Sequence, residues 1–207
     1  MTKRCVILSA GDFSPSDYRY HENDYVIAAD GGYAYLKSMG ITPDLCIGDF
    51  DSLGFVPKDC KIAALPVEKD CTDTDAAIRA GLAEGCVEFL LVGMLGGKRL
   101  SHTVANLQSL SLLAEKHVTH KLVGNGITVR ALAANDSVCF SENDAYHVSV
   151  LAITDTASVS LQGLHYIGKA LTITNRFPLG VSNETIGQEA TVTCHEGMVL
   201  VITEEKG

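Results

Sequence analysis

A change of hydrophobic period near residue 135 constrains this chain more than any other feature of its sequence. Before it, short apolar runs alternate with helical patterns. The predicted strands are Cys5–Ala10, Tyr25–Ala29, Leu45–Ile47, Ile62–Leu65, Phe89–Val92 and Lys121–Val123. The predicted helices are Gly32–Met39, Thr74–Glu84 and Leu100–Glu115. Ile78, Gly81 and Leu82 share a face of the second helix, and Val104, Leu107, Leu110 and Leu113 share a face of the third. Strands that alternate with helices imply crossover connections. Residues 1–133 therefore read as an α/β domain with a mainly parallel sheet, Rossmann-like and three-layered. Beyond Ala133–Asp136 the period drops to two, in His147-Val148-Ser149-Val150, Val159-Ser160-Leu161, Ala170–Thr174, Ala190–Thr193 and Val199–Ile202. Gly163, Gly168, Gly180, Gly187 and Gly197 punctuate these runs, which predicts a small all-β sandwich over residues 134–207.

At 207 residues the chain can bury a sizeable core. Its formal charge of -9 argues against nucleic acid and against an anionic membrane surface, both of which need a basic face. Met1-Thr2-Lys3-Arg4 leads into only four apolar residues, Cys5 to Leu8, too few for an export signal. The apolar stretch from Phe89 to Leu95 is too short to span a bilayer. Seven cysteines, an odd number, include no C-x-x-C pair, and read as buried free thiols of a cytoplasmic protein.

Four clusters fall where strands of the first domain should end. Asp30-Gly31-Gly32 follows an apolar run and opens a helix, where paired glycines admit a ligand and helical N–H groups suit phosphate. A plain strand-to-helix turn explains the same residues. Gly48-Asp49-Phe50-Asp51-Ser52 is more specific, because two carboxylates spaced i and i+2 repel unless a cation lies between them. A hard metal with a phosphate substrate accounts for the pair. Asp70, Asp73 and Asp75 precede or open a helix, where acids also serve as caps and dipole partners. Asp73 gains a ligand role only in company with Asp49 and Asp51. The fourth cluster, Gly93 to His102, fails as a P-loop: three residues separate Gly93 from Gly97-Lys98, and Arg99 replaces the Ser or Thr that holds magnesium. Lys98 and Arg99 can still grip phosphate oxygens.

Other signals are weaker. His117 and His120 have metal-like spacing but no third ligand nearby in sequence, and read as a solvated helix exit. No G-x-S-x-G elbow is present, and Gly124-Asn125-Gly126 lacks the third glycine of a dinucleotide fingerprint. In the second domain, Gly180-Val181-Ser182-Asn183-Glu184 is the densest polar cluster between strands, readable as a hairpin loop.

In this order, the clusters resemble the thiamin pyrophosphokinase family across nearly the whole chain. The resemblance rests on Asp30-Gly31-Gly32, Pro43-Asp44, Gly48 to Ser52, Lys69-Asp70, Thr72-Asp73, Gly96-Gly97 with Arg99 and His102, Asn106, and Gly180 to Glu184. It implies transfer of a pyrophosphoryl group from ATP to the thiamin hydroxyl, giving thiamin diphosphate and AMP. It also implies a homodimer whose sites are shared between the α/β domain of one subunit and the sandwich of the other. By the same resemblance Asp49, Asp51 and Asp73 hold Mg2+. Asp30, Gly31, Gly32, Lys69, Gly96, Gly97, Lys98, His102 and Asn106 serve the nucleotide, and Ser182, Asn183 and Glu184 serve thiamin. Asp73 and Arg99 are expected to take part in the transfer. Ser101 departs from the pattern: the family has Asp before this His, on the thiamin side, and Lys98 is an extra residue in the loop. A magnesium-dependent phosphohydrolase and a non-catalytic nucleotide-binding regulatory relative are the competing readings.

Overall fold

The computed structural model describes residues 3–51, 53–66 and 70–206. The chain divides into two compact units, Met1–Ser109 with Val118–Asn125, and Leu110–His117 with Gly126–Gly207.

The first unit contains strands β1 (Arg4–Leu8), β2 (Asp24–Ala29), β3 (Leu45–Gly48), β4 (Lys61–Ala64), β5 (Glu88–Val92) and β6 (Thr119–Gly124). Its helices are α1 (Gly32–Ser38), α2 (Asp73–Ala83) and the opening turns of α3 (Leu100–Glu115). All pairings among its strands are parallel, in the order β4-β3-β2-β1-β5-β6. Parallel strands are covered on both faces, and the burial of β1, β2 and β5 is nearly continuous. Val6, Leu8, Val26 and Ala28 join Tyr33 and Leu36 of α1 in one core cluster. On the opposite face Gly81 of α2 abuts Cys5 and Phe89. At the amino ends of β1 and β2, Arg4 grips Asp24 with two hydrogen bonds of 2.8 Å. The Tyr18 hydroxyl and the His21 amide also donate to that carboxylate, whose side chain is 3% exposed.

The second unit is antiparallel. It comprises β7 (Ile127–Ala133), β8 (Ser137–Phe140), β9 (Tyr146–Ala152), β10 (Thr156–Gln162), β11 (Gly168–Thr174), β12 (Asn183–Glu184), β13 (Ala190–Glu196) and β14 (Met198–Glu205). Four of these strands run in the order β12-β9-β14-β7 and the others in the order β11-β10-β13-β8. Val148, Val150, Val199 and Val201 from one set share a core with Val159, Leu161, Val192 and Cys194 from the other. This is the expected sandwich.

Three expectations need correction. The division falls at Gly126, not at Ala133–Asp136, because Ile127–Ala133 pairs with β14 over seven positions and belongs to the second unit. Cys71 and Cys139 are exposed and Cys60 is half-buried, so only four of the seven thiols lie in the interior. His120 is buried in β6 with Nδ1 against the Val118 carbonyl, and His117 Nδ1 lies 2.9 Å from Asp136. His120 is therefore not part of a solvated helix end, whereas His117 lies exposed just beyond α3, as expected.

Candidate active site

Strand order in the first unit runs outward from β1 through β2 and β3 to β4, then returns to place β5 on the other side of β1. The carboxyl ends of β1 and β5 therefore flank a topological switch point, where open α/β sheets bind ligands. Every acidic or glycine cluster named for this unit follows a strand at that edge or opens the next helix.

The loop after β2 is shaped by close approach. A Cβ on Gly32 would overlap the Leu8 carbonyl oxygen, so only glycine lets α1 begin over the end of β1. Asp30 has a left-handed φ of 47°, and its amide donates to the Ile47 carbonyl at 2.8 Å. That bond holds the Asp30 backbone beside the loop after β3.

In that neighbouring loop Phe50 is 4% exposed with φ 60°, its ring packed in the core cluster beside Cys46. Burying the ring turns the residues on either side outward. Asp49 is half-buried, Asp51 is exposed, and the Asp51 amide donates to Asp49 Oδ1 at 3.1 Å. Thr72 caps α2 by accepting from the Asp75 amide, so Asp73 and Asp75 occupy the first turn and neither is the cap. Among the described residues no three His, Cys, Asp or Glu side chains converge into a metal cage. The expected ligand set of Asp49, Asp51 and Asp73 is thus not preassembled. Magnesium does not demand that it be, since one or two carboxylates, several waters and phosphate oxygens complete its shell. The hard oxygen donors on the β3 loop fit such an ion.

Asn106 of α3 has a framework role. Its side chain lies inside the unit, 9% exposed, accepting from Thr74 Oγ1 at 2.7 Å and donating to the Met94 carbonyl at 3.0 Å. It fastens the first turn of α2, which carries Asp73, to the loop after β5. Thr103 Oγ1 donates to the Gly96 carbonyl and holds the same loop from the other side. Gly96 and Gly97 have φ of 67° and 83°. Lys98, Arg99, Ser101 and His102 follow, all exposed, with the His102 amide bonded to the Arg99 carbonyl. Lys69 lies outside the described residues.

One element of this edge escaped the sequence reading. The chain after β1 runs as a partner to the glycine loop, with Gly11 N–H to the Gly93 carbonyl at 2.7 Å and Asp12 N–H to the Leu95 carbonyl at 3.0 Å. The Asp12 carboxylate lies over Gly96, where any Cβ would collide with it. Ala10-Gly11-Asp12 directly follows the first apolar run, and that position was the available signal.

In the second unit, Asn183 is 4% exposed. Its Oδ1 accepts from the Tyr166 and Glu184 amides and its Nδ2 donates to the Tyr166 carbonyl. Its amide therefore splints β12 to the Tyr166 turn. Ser182 is exposed at φ 62°, its amide on Ser149 Oγ. Glu184 is half-buried, and Lys206 at 2.7 Å holds its carboxyl below the usual range.

A family model described as the thiamin pyrophosphokinase catalytic domain matches residues 17–122. A second, described as the thiamin pyrophosphokinase vitamin B1 binding domain, matches residues 138–199. The chain belongs to the thiamin pyrophosphokinase family. Members of this family are enzymes that make thiamin diphosphate. A thiamine pyrophosphokinase of Bacillus subtilis is 25% identical over 188 residues, 87% of each chain. A crystal structure of thiamine pyrophosphokinase from Bacillus subtilis superimposes with a TM-score of 0.82 at 20% identity, covering 100% of both chains. A thiamin pyrophosphokinase family protein from Enterococcus faecalis gives 0.80 at 26% identity, covering 99% of this chain and 100% of that one. The second matched segment lies wholly in the second unit, and the first lies in the first unit apart from Leu110–His117.

Proposed function

We propose that the carboxyl edge of the first unit binds magnesium and ATP for pyrophosphoryl transfer to thiamin, with Asp49 and Asp51 as the carboxylates that hold the ion. The observation that carries this reading is the β3 loop, where burial of Phe50 turns two acids outward at the edge where open α/β sheets bind ligands. Asp49 and Asp51 would hold the magnesium, which would supply charge neutralisation for the triphosphate. Asp73 opens α2 and accepts the proton of the thiamin hydroxyl as its oxygen attacks the β-phosphorus. The bond between the α- and β-phosphates breaks and AMP departs. Lys98 and Arg99, exposed beyond the glycine turns, steady charge on the transferring group, and Arg99 can do so with two parallel bonds. Asp30, Gly31, Gly32, Gly96, Gly97 and His102 serve the nucleotide, as Lys69 does by the family resemblance, and Ser101, Ser182 and Glu184 serve thiamin. Asn106 and Asn183 act through the framework.

The same reading includes a homodimer in the cytoplasm. Tyr166, Ile167, Phe177, Leu179, Val181 and Ile186 of the second unit are each 48–72% exposed. Asn183 ties the Tyr166 turn to the strip that holds the last of them, and so large an apolar surface favours a second copy. Free thiols suit the reducing compartment, and no helix among the described residues is long and apolar enough to cross a membrane.

The test is incubation with magnesium, ATP and thiamin while AMP and thiamin diphosphate are followed. Equal yields of the two products, lost in Asp49→Asn and Asp73→Asn, support the assignment. Free phosphate released without thiamin, or full turnover by Asp73→Asn at saturating magnesium, refutes it.

A further inference from the structure

Two sulfurs at the base of the β3 loop stand closer than unbonded atoms rest. Cys46 Sγ and Cys60 Sγ are 2.7 Å apart. Heavy atoms in ordinary contact prefer roughly 3.5–4.0 Å, and a disulfide bond measures about 2.05 Å. The Cys5 and Cys86 thiols also hydrogen-bond each other, but both of them are buried. Cys46 is fully buried in β3, fixed by pairing with β2 on one side and β4 on the other. Cys60 leads into β4 and is half-buried, so one sulfur of the pair can be reached from solvent. Its neighbour Asp59 is clamped to α1 by the Tyr33 hydroxyl and the Lys37 ammonium, both at 2.8 Å. The approach therefore belongs to a braced segment and not to a wandering loop end.

We propose that Cys46 and Cys60 form a reversible intramolecular disulfide when the folded protein meets a low-molecular-weight disulfide. The Cys60 thiolate attacks one sulfur of the reagent, expels one thiolate and becomes a mixed disulfide. Cys46, having released its proton, then attacks the Cys60 sulfur and expels the second thiolate. Two protein thiols are oxidised by two electrons, and one external disulfide is reduced to two thiols, which take up the two protons. The new bond closes a loop that contains Asp49 and Asp51 and joins β3 to the entry of β4. Because the sulfurs already lie within an ångström of bonding distance, the strands keep their register.

Burial raises both thiols above their ordinary range, so the reaction is slow, and the accessible member leads it. Cys5 and Cys86 are an internal control: both are buried, without an exposed partner to start the exchange.

The experiment treats the full reduced chain with oxidised glutathione under native conditions, blocks remaining thiols and digests with trypsin. Cleavage after Lys37, Lys58 and Lys61 places Cys46 and Cys60 in separate peptides, which run disulfide-linked if the proposal holds. The intact chain then loses about 2 Da, melts at a higher temperature, and reverts with dithiothreitol. Cys60→Ser, a change at the less buried site, shows neither the mass loss nor the shift. Recovery of Cys46 and Cys60 as blocked thiols overturns the proposal. So does a glutathione adduct on Cys60 that never resolves, or linkage of Cys60 to Cys71 or Cys139.

Discussion

Asn106→Ala tests whether the glycine loop and the acidic helix are one mechanical piece. The substitution removes the hydrogen bonds to Thr74 and Met94, and it strands the Thr74 hydroxyl and the Met94 carbonyl in places that are 4% and 1% exposed. Each buried polar group left without a partner costs about 1–3 kcal/mol. The hydroxyl can rotate toward a backbone carbonyl and recover part of that, whereas the Met94 carbonyl cannot turn. The expected loss is therefore about 3 kcal/mol. Thr74→Val alone leaves Asn106 Oδ1 unpaired and should cost about 1–2 kcal/mol. In the double variant the two losses share one bond, so it should be more stable than the sum by about 1 kcal/mol or more. Urea unfolding followed by circular dichroism measures all three, since the chain has no tryptophan to report by fluorescence. Additivity within about 0.3 kcal/mol, or an Asn106→Ala cost below about 0.5 kcal/mol, would sink the argument.

Further outcomes follow from other contacts. Gly96→Ala places a Cβ at φ 67°, which costs roughly 1–2 kcal/mol, and drives it into the Asp12 carboxylate; pairing it with Asp12→Ala should recover the collision and leave the backbone cost, as read from melting temperatures. Burial pushes the Asp24 carboxyl up, but Arg4, the His21 amide and Tyr18 pull it down further, and the net shift is downward. A depressed carboxyl stabilises the fold above its unfolded value of about 3.9 and loses that contribution as pH falls through the folded value. Melting temperatures between pH 6 and pH 2 should drop steeply below about pH 4, and Asp24→Asn should flatten that limb. Chelation should abolish product formation, and magnesium restore it, without shifting the melting temperature of the nucleotide-free protein, because no three-acid cage among the described residues holds the ion by itself. A shift of several degrees on chelation would contradict this.

Much of the first unit was legible because parallel strands covered on both faces write themselves as apolar runs. Phe89–Val92 illustrates this, and the helical pattern of Leu100–Glu115 matches α3 residue for residue. Ile127–Ala133 was missed. Its run reads Ile-Thr-Val-Arg-Ala-Leu-Ala, and only its partner β14, seventy residues away, decides that it is a strand of the second unit. Candidate residues fared by the same logic. Asp49 and Asp51 were found because like charges at i and i+2 are conspicuous without any contact information. The framework roles of Asn106 and Asn183 were invisible, because whether an amide faces a ligand or a buried carbonyl depends on neighbours that sequence distance hides. Val104 shows the limit of periodicity too: it shares the stripe with Leu110 and Leu113, yet it is 47% exposed while they are fully buried.

The place of β14 has a consequence for how the molecule is made. It lies between β7 and β9, with long antiparallel ladders to both, and it is translated after both of them. Until it is, β7 and β9 each present an unpaired backbone edge, and the sandwich core lacks Val199 and Val201. The strands of the first unit are all translated by residue 124. The nascent chain therefore carries a complete parallel sheet ahead of two open, adhesive β-edges, and this interval is when the protein is most exposed to misassembly with its own copies.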